Sequence, residues 1–146
     1  MKPTEAIRTA DQMRPNMMSD ELKLRFLNEV EARVHGEIIM KCEHTAAQEV
    51  CPVYTLPEDD SEEEESDELS ESSEEEDSET EEPDMLVPDK YAMMYVYWLE
   101  SRIDEQNQEY EKLNNDRALF DVEWNNFFDS YIQDHMPLTA APYFQV

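Results

Sequence analysis

The stretch YAMMYVYWL, Tyr91–Leu99, places apolar residues at nearly every position. A surface helix needs an apolar stripe on one side only, so a helix of this composition is covered on more than one side. Pro88 suits its first position, and Asp89 beside it complements the helix dipole. Farther on, Ile103, Tyr110 and Leu113 continue a single stripe among polar residues, and Asn114-Asn115-Asp116 predicts a cap or turn. A last helix is predicted from about Asp116 to His135, with Leu119, Phe120, Val122, Trp124, Phe127, Phe128, Tyr131 and Ile132, and Pro137 ends it. The two helices form a long antiparallel pair, and the fold class is an all-α small helical bundle.

Upstream the same periodicity holds. Pro3 to Met13 is a short helix candidate, with Thr4 as N-cap and Ala6, Ile7, Ala10 and Met13 at helical spacing; Arg14-Pro15-Asn16 stops it. Ser19 caps a longer helix reaching about Lys41, with Asp20 and Glu21 in its first turn and Leu22, Phe26, Leu27, Val30, Val34 and Ile38 as its stripe. Gly36, the only glycine, lies on this helix, where alanine would be better by about 1 kcal/mol. It reads either as a site of close backbone packing or as a tolerated weak point.

Between the two halves lies PEDDSEEEESDELSESSEEEDSETEEPD, Pro57–Asp84, with no Lys or Arg and one apolar residue, Leu69. Of the chain's net charge of −27, this run supplies −18 and all other residues −9. Such a run has almost nothing to bury and repels itself, so it is expected to be solvated and mobile. Setting it aside leaves about 119 residues, one small domain split by an insertion. The organisation is therefore 1–57 as N-terminal helices, 58–84 as acidic insertion, 85–137 as the helix pair completing the domain, and 138–146 as a tail. The flanking segments EVCPVYTL, Glu49–Leu56, and MLVP, Met85–Pro88, are short and interrupted by proline, and could pair as a short β-hairpin at the base of the insertion.

Several function classes are disfavoured. There is no basic region followed by an apolar stretch and no run of 18 apolar residues, which argues for a soluble chain with no membrane partner. One glycine cannot build a phosphate loop, and His35, His44 and His135 show no metal-ligand spacing such as HExxH. Cys42 and Cys51 with His44 fall short of the four paired ligands of structural zinc, and two reduced thiols beside a loop are the better reading. Glu105, Glu109, Asp116 and Glu123 do not form an inward set for a metal or hydrolase site. With 11 basic residues against 38 acidic ones, no basic patch is available to neutralise phosphates. Calcium capture by the acidic run lacks the ordered turn and glycine of an EF-hand. The expectation is a protein that is not an enzyme, with no catalytic residues, cofactor or metal.

Protein-protein contact remains. The apolar surplus of Tyr91–Leu99, the aromatics of the last helix and the APYF tail exceed what a core of this size needs. Candidate interface residues are Tyr91, Met94, Tyr95 and Trp98, with Tyr143 and Phe144 in the tail, residue types enriched at interfaces.

The order RPNMMSDELKLRFLNEVEARVHGEII, then LVPDKYAMMYVYWLESRIDEQNQEYEKLNNDRALFDVEWNNFFDSYIQDHMP, resembles the small helical head-tail connector proteins of tailed bacteriophages, also called adaptor or head-completion proteins. The likeness covers nearly the whole chain except the acidic run, where those proteins have a shorter loop. It rests on composition and position, not on a catalytic signature. It implies a non-enzymatic virion protein at the head-tail interface, assembled in the host cytoplasm. Copies would form a ring, expected to be dodecameric, below the portal protein; the ring would extend the channel through which DNA passes without sequence-specific binding, and would dock the stopper or tail-completion protein. A ring uses heterologous contacts, which suits a helix covered on several sides. The tail, Leu138–Val146, would hook onto the portal or a neighbour through Tyr143 and Phe144. The competing expectation is an acidic regulatory module whose Glu/Asp/Ser run captures a basic partner. Ser61, Ser72, Ser73 and Ser78 each have an acid three residues on, and phosphorylation would deepen the charge.

Overall fold

The structure is a computed structural model that describes residues 1–57 and 81–138. The expectations for residues 58–80, and for Tyr143 and Phe144 in the tail, lie outside the described residues. The described residues form four α-helices and no strands: α1 (Pro3–Met13), α2 (Asp20–Val34), α3 (Met93–Asn107) and α4 (Tyr110–Asp134).

α1 begins at Pro3, whose missing N–H costs nothing at the first helical position. Thr4 is not its cap. It lies inside the first turn, where its backbone N–H donates to Glu82 (3.0 Å) and its hydroxyl bonds the same carboxylate. The last residues of the acidic run are thus docked on α1. Small Ala6 and Ala10 with Ile7 are buried, and α1 packs against α3 and less extensively against α2.

α2 is capped as expected, the Ser19 hydroxyl accepting the Leu22 N–H at 3.3 Å. Beyond Val34 the backbone widens into a π turn, His35–Ile39, closed by Met40 N–H on His35 O (2.9 Å). The wider turn lets both Ile38 and Ile39 face inward. Gly36 is exposed on this turn, and a Cβ there would meet nothing within 4 Å. No backbone approaches it, so it is a weak point and not a packing site.

α3 is the central helix, packed against α1, α2 and, most extensively, α4. Its α-helical hydrogen bonding starts five residues later than the proline suggested. Pro88–Ala92 forms tight turns instead, with Tyr91 N–H on Pro88 O (2.9 Å) and Ala92 N–H on Asp89 O (3.3 Å). The turn between α3 and α4 also differs from expectation. It falls at Gln108, which adopts left-handed dihedrals (φ 60°, ψ 30°), with Glu109 N–H bonded to Asp104 O at 2.9 Å in the manner of a Schellman closure. Asn114 and Asn115 are exposed positions within α4, and Asp116 points inward. The run of turn-forming residues is overridden because helical register is what aims Asp116 at the core.

One hydrophobic core unites both sides of the acidic segment: Ala6, Leu27, Val30, Val34 and Ile38 pack with Tyr54 from before it and with Met85, Val87, Met94, Tyr95, Leu99, Ile103, Phe120 and Phe127 from after it. The expected β-hairpin is absent among the described residues, because side chains and the N-terminal segment take the backbone groups it would have used. Asn28 brackets Tyr54, donating to its carbonyl (3.0 Å) and accepting its N–H (2.9 Å). Met85 N–H goes to Met1 O (3.0 Å), and Leu86 N–H to the Glu31 carboxylate (3.0 Å). After α4 the chain returns to the end of the α2 region, with Glu43 N–H on Met136 O (2.8 Å) and Leu138 N–H on Lys41 O (2.9 Å). Among the described residues no helix is long and apolar enough to cross a membrane.

Candidate functional site

The four described interface candidates divide in two. Met94 and Tyr95 are fully buried within the chain, so they belong to the core and offer no surface to a second molecule. Tyr91 and Trp98 are half-buried. Tyr91 packs on Phe127 with ring centroids 6.0 Å apart. Trp98 donates its indole N–H to Phe26 O (3.1 Å), and its ring faces Arg102 at 4.7 Å and Arg33 at 5.8 Å. Arg33 also covers Trp124 (5.0 Å), and Arg102 covers Phe26 (5.0 Å). The guanidiniums hold station through Glu29 (3.3 Å) and Glu105 (3.4 Å) for Arg102 and Glu37 (3.7 Å) for Arg33. Much of the aromatic surplus is therefore roofed by arginine, each stacked cation worth about 0.5–1 kcal/mol at such half-exposed sites. What stays apolar and in water among the described residues includes Leu119 and Val122 on α4, the latter 55 % exposed, Val50 and Val53 before the acidic segment, and, scattered elsewhere, Met13, Met17, Tyr110, Met136 and Leu138.

A second assembly lies at the turn end of the helix pair. Glu100 and Asp104 from α3 and Asp116 from α4 are 0–1 % exposed and share a single cation, Arg14, from the segment after α1. The guanidinium stands 3.4 Å from Asp104 Oδ1 and 3.5 Å from Asp116 Oδ2, close enough for electrostatic attraction but without hydrogen-bond geometry. Glu100 Oε1, both Asp104 oxygens and Asp116 Oδ2 are buried without a hydrogen-bond partner. Burial foremost, then the neighbouring Asp104 carboxyl and the Glu100 charge, pushes Asp116 up to about 7, with Arg14 opposing. Glu100 is likewise raised, by burial first.

The third assembly surrounds Glu31, a fully buried carboxylate on α2. Its Oε1 accepts the Tyr95 hydroxyl (2.6 Å), and its Oε2 accepts the Tyr54 hydroxyl (2.8 Å) and the Leu86 N–H (3.0 Å). Tyr95 in turn accepts the Val87 N–H at 3.1 Å. Burial, followed by the charge of Glu31, raises both phenols well above the ordinary tyrosine range.

The chain matches no family model, no curated protein and no solved structure. Its function must be read from these assemblies. Cys42 and Cys51 are free thiols, each raised by burial, and His44 donates its Nδ1–H to Cys42 O (2.8 Å). Among the described residues no group of three or more His, Cys, Asp or Glu is placed to hold a metal ion.

Sequence reasoning missed the two buried carboxylate assemblies, yet a signal was present. Glu31 falls on the stripe Leu27, Val30, Val34, Ile38; Glu100 and Asp104 fall on the stripe Val96, Leu99, Ile103; Asp116 falls between Leu113 and Phe120. An acid on the apolar face of a helix is the mark of a buried carboxylate. In a chain with 38 acids, composition hides it and only register reveals it.

Proposed function

We propose that this protein is a structural virion component, a head-tail connector that forms a ring beneath the portal, extends the DNA channel and docks the stopper or tail. Its work is binding, not catalysis, and its place is the head-tail interface of the particle. The reading rests on the likeness carried by SDELKLRFLNEVEARV, LVPDKY and YVYWLESRID. The structural observation that supports it is a helical unit with its own core that still leaves Leu119 and Val122 on one helix and Val50 and Val53 on a separate segment in water. Two distinct apolar surfaces are what a heterologous ring contact requires. DNA would pass without sticking, since an excess of negative charge disfavours phosphate.

Negative-stain imaging of the purified protein, alone and with the portal protein of the same particle, tests this. Rings or density capping the portal are expected. A strict monomer in both samples would overturn the connector reading. The second reading, a module whose acidic run captures a basic partner, is favoured by the −18 charge concentrated between Glu58 and Asp84. It predicts the monomer together with salt-sensitive binding of a basic polypeptide such as polylysine.

A further inference from the structure

We propose that Arg14, Glu100, Asp104 and Asp116 form a proton-binding latch, which fastens the α1–α2 connection to the turn end of the α3–α4 pair when protonated and loosens when fully ionised. The charge count carries the argument. Three carboxylates around one guanidinium leave two negative charges uncompensated if all ionise, in a place with 0–1 % exposure. Buried charge without a partner is among the least tolerable arrangements in a fold, and the ordinary relief is to bind a proton. The carboxyls of Glu100 and Asp116, both raised by burial, are where such protons sit, and the partnerless oxygens of the cluster, those of Asp104 included, are the acceptors available to their O–H groups.

The surroundings supply no other relief. Arg14 comes from the segment after α1; Glu100, Asp104 and the Tyr97 phenol come from α3; Asp116 and, more distantly, Glu123 come from α4. The buried charged groups of α2 are engaged elsewhere, Lys23 with Asp11 and Asp20, and Glu31 with Tyr54, Tyr95 and Leu86. A cation in place of the proton would need converging oxygens, and these carboxylates do not converge as metal ligands. The latch joins parts distant in sequence. Besides Arg14, the neighbouring Pro15 carbonyl accepts from Asn107 Nδ2 (3.4 Å), so the connection after α1 is tethered at the end of α3 by the cluster and one further bond.

The sign follows from linkage. A carboxyl whose folded pKa is raised stabilises the fold fully below its unfolded value, near 3.8, and that contribution is lost as pH rises through about 7. Exposed carboxylates in general finish titrating below that window. The test compares variants and not pH values alone.

Urea midpoints of the full chain are measured between about pH 5 and pH 8.5, where the raised carboxyls change state and ordinary ones do not. Wild type is expected to lose midpoint as pH rises. Asp104→Asn and Asp116→Asn, each of which makes a donor permanent, are expected to flatten that slope and to exceed wild type at the alkaline end. Should either variant fail to fold, the carboxyl carbons of wild type are followed by NMR: at least one aspartate or glutamate carboxyl is expected to titrate near neutral pH. Backbone amides of Arg14 and of the Gln108 turn are expected to exchange faster at the alkaline end, after correction for intrinsic rates. A slope unchanged in both variants, all carboxyls titrating in the ordinary range, or restoration of the alkaline midpoint by magnesium or calcium would each overturn the latch.

Discussion

Tyr95 on α3 and Glu31 on α2 meet through a 2.6 Å hydrogen bond at full burial, and this contact is the inner end of a network that also reaches Tyr54 and Leu86. A buried carboxylate is tolerated when strong donors surround it, and here three donors do so. Replacing Glu31 by alanine leaves the Tyr95 O–H and the Leu86 N–H without an acceptor and the Tyr54 O–H with only a 3.5 Å contact to Asp84 O. The expected loss is about 3–5 kcal/mol of folding free energy, from urea unfolding. Tyr54→Phe removes one donor and should cost about 1–2 kcal/mol. Combining the two substitutions should cost less than their sum, since each disables part of the same network. Additive effects would show that the distances do not reflect coupling.

The only glycine and the only left-handed residue among the described residues are in different places. Gly36 lies on a solvent-facing turn with room for a Cβ, whereas Gln108 adopts φ 60° with a side chain present. Gly36→Ala should stabilise by about 0.5–1 kcal/mol through the unfolded chain. Gln108→Gly should also stabilise, by up to about 1 kcal/mol, because it removes the steric penalty of the left-handed region. Thermal melts of the two single variants and the double variant check this, and the gains should add because the sites share no partner.

Core and surface apolar residues should separate cleanly under substitution. Met94, fully buried, should lose about 2–5 kcal/mol on replacement by alanine. Val122→Glu, at a position 55 % exposed, should change stability by no more than about 0.5 kcal/mol. If α4 supplies a ring or portal contact, Val122→Glu should nonetheless abolish assembly seen by imaging. A Val122→Glu protein that assembles normally would move the contact off this face.

Residues 58–80 should be replaceable, whereas 81–84 should not. Glu82 bonds Thr4 through two atoms, so the boundary of the dispensable part lies inside the acidic run, not at its end. Exchanging 58–80 for a Gly/Ser linker of equal length should leave the helical circular dichroism intact and raise stability at low salt by relieving self-repulsion. A loss of helicity would show that the acidic residues themselves support the fold.

Helix identity was legible wherever an apolar stripe and a local cap coincided. α1 was found with its stop at Arg14, and α2 with its Ser19 cap, because such signals are decided within a few residues; the Thr4 cap and the end of α2, expected near Lys41 and found at Val34 before the π turn, were not. The α3–α4 boundary was not legible. Asn114-Asn115-Asp116 carries strong turn chemistry, but Leu113, Asp116 and Phe120 must share one face to close over α3, and that requirement is tertiary. The aromatic surplus misled for a related reason: Arg33, far from Trp98 and Trp124 in sequence, and Arg102, far from Phe26, cover rings that look unpartnered when read one helix at a time. The hairpin failed because no local signal announced that Asn28 and Glu31 would take up the backbone groups of Tyr54 and Leu86.

Glu31 holds the chain three residues before Pro57 through Tyr54, and a few residues after Glu81 through Leu86. Tension applied between those points reaches Glu31 through Tyr54 on one side, and on the other meets the Glu82 contact with Thr4 on α1 before it reaches Leu86 and Glu31. The acidic segment is thereby attached as a rope is to a cleat, so that a partner pulling on it pulls on the whole bundle.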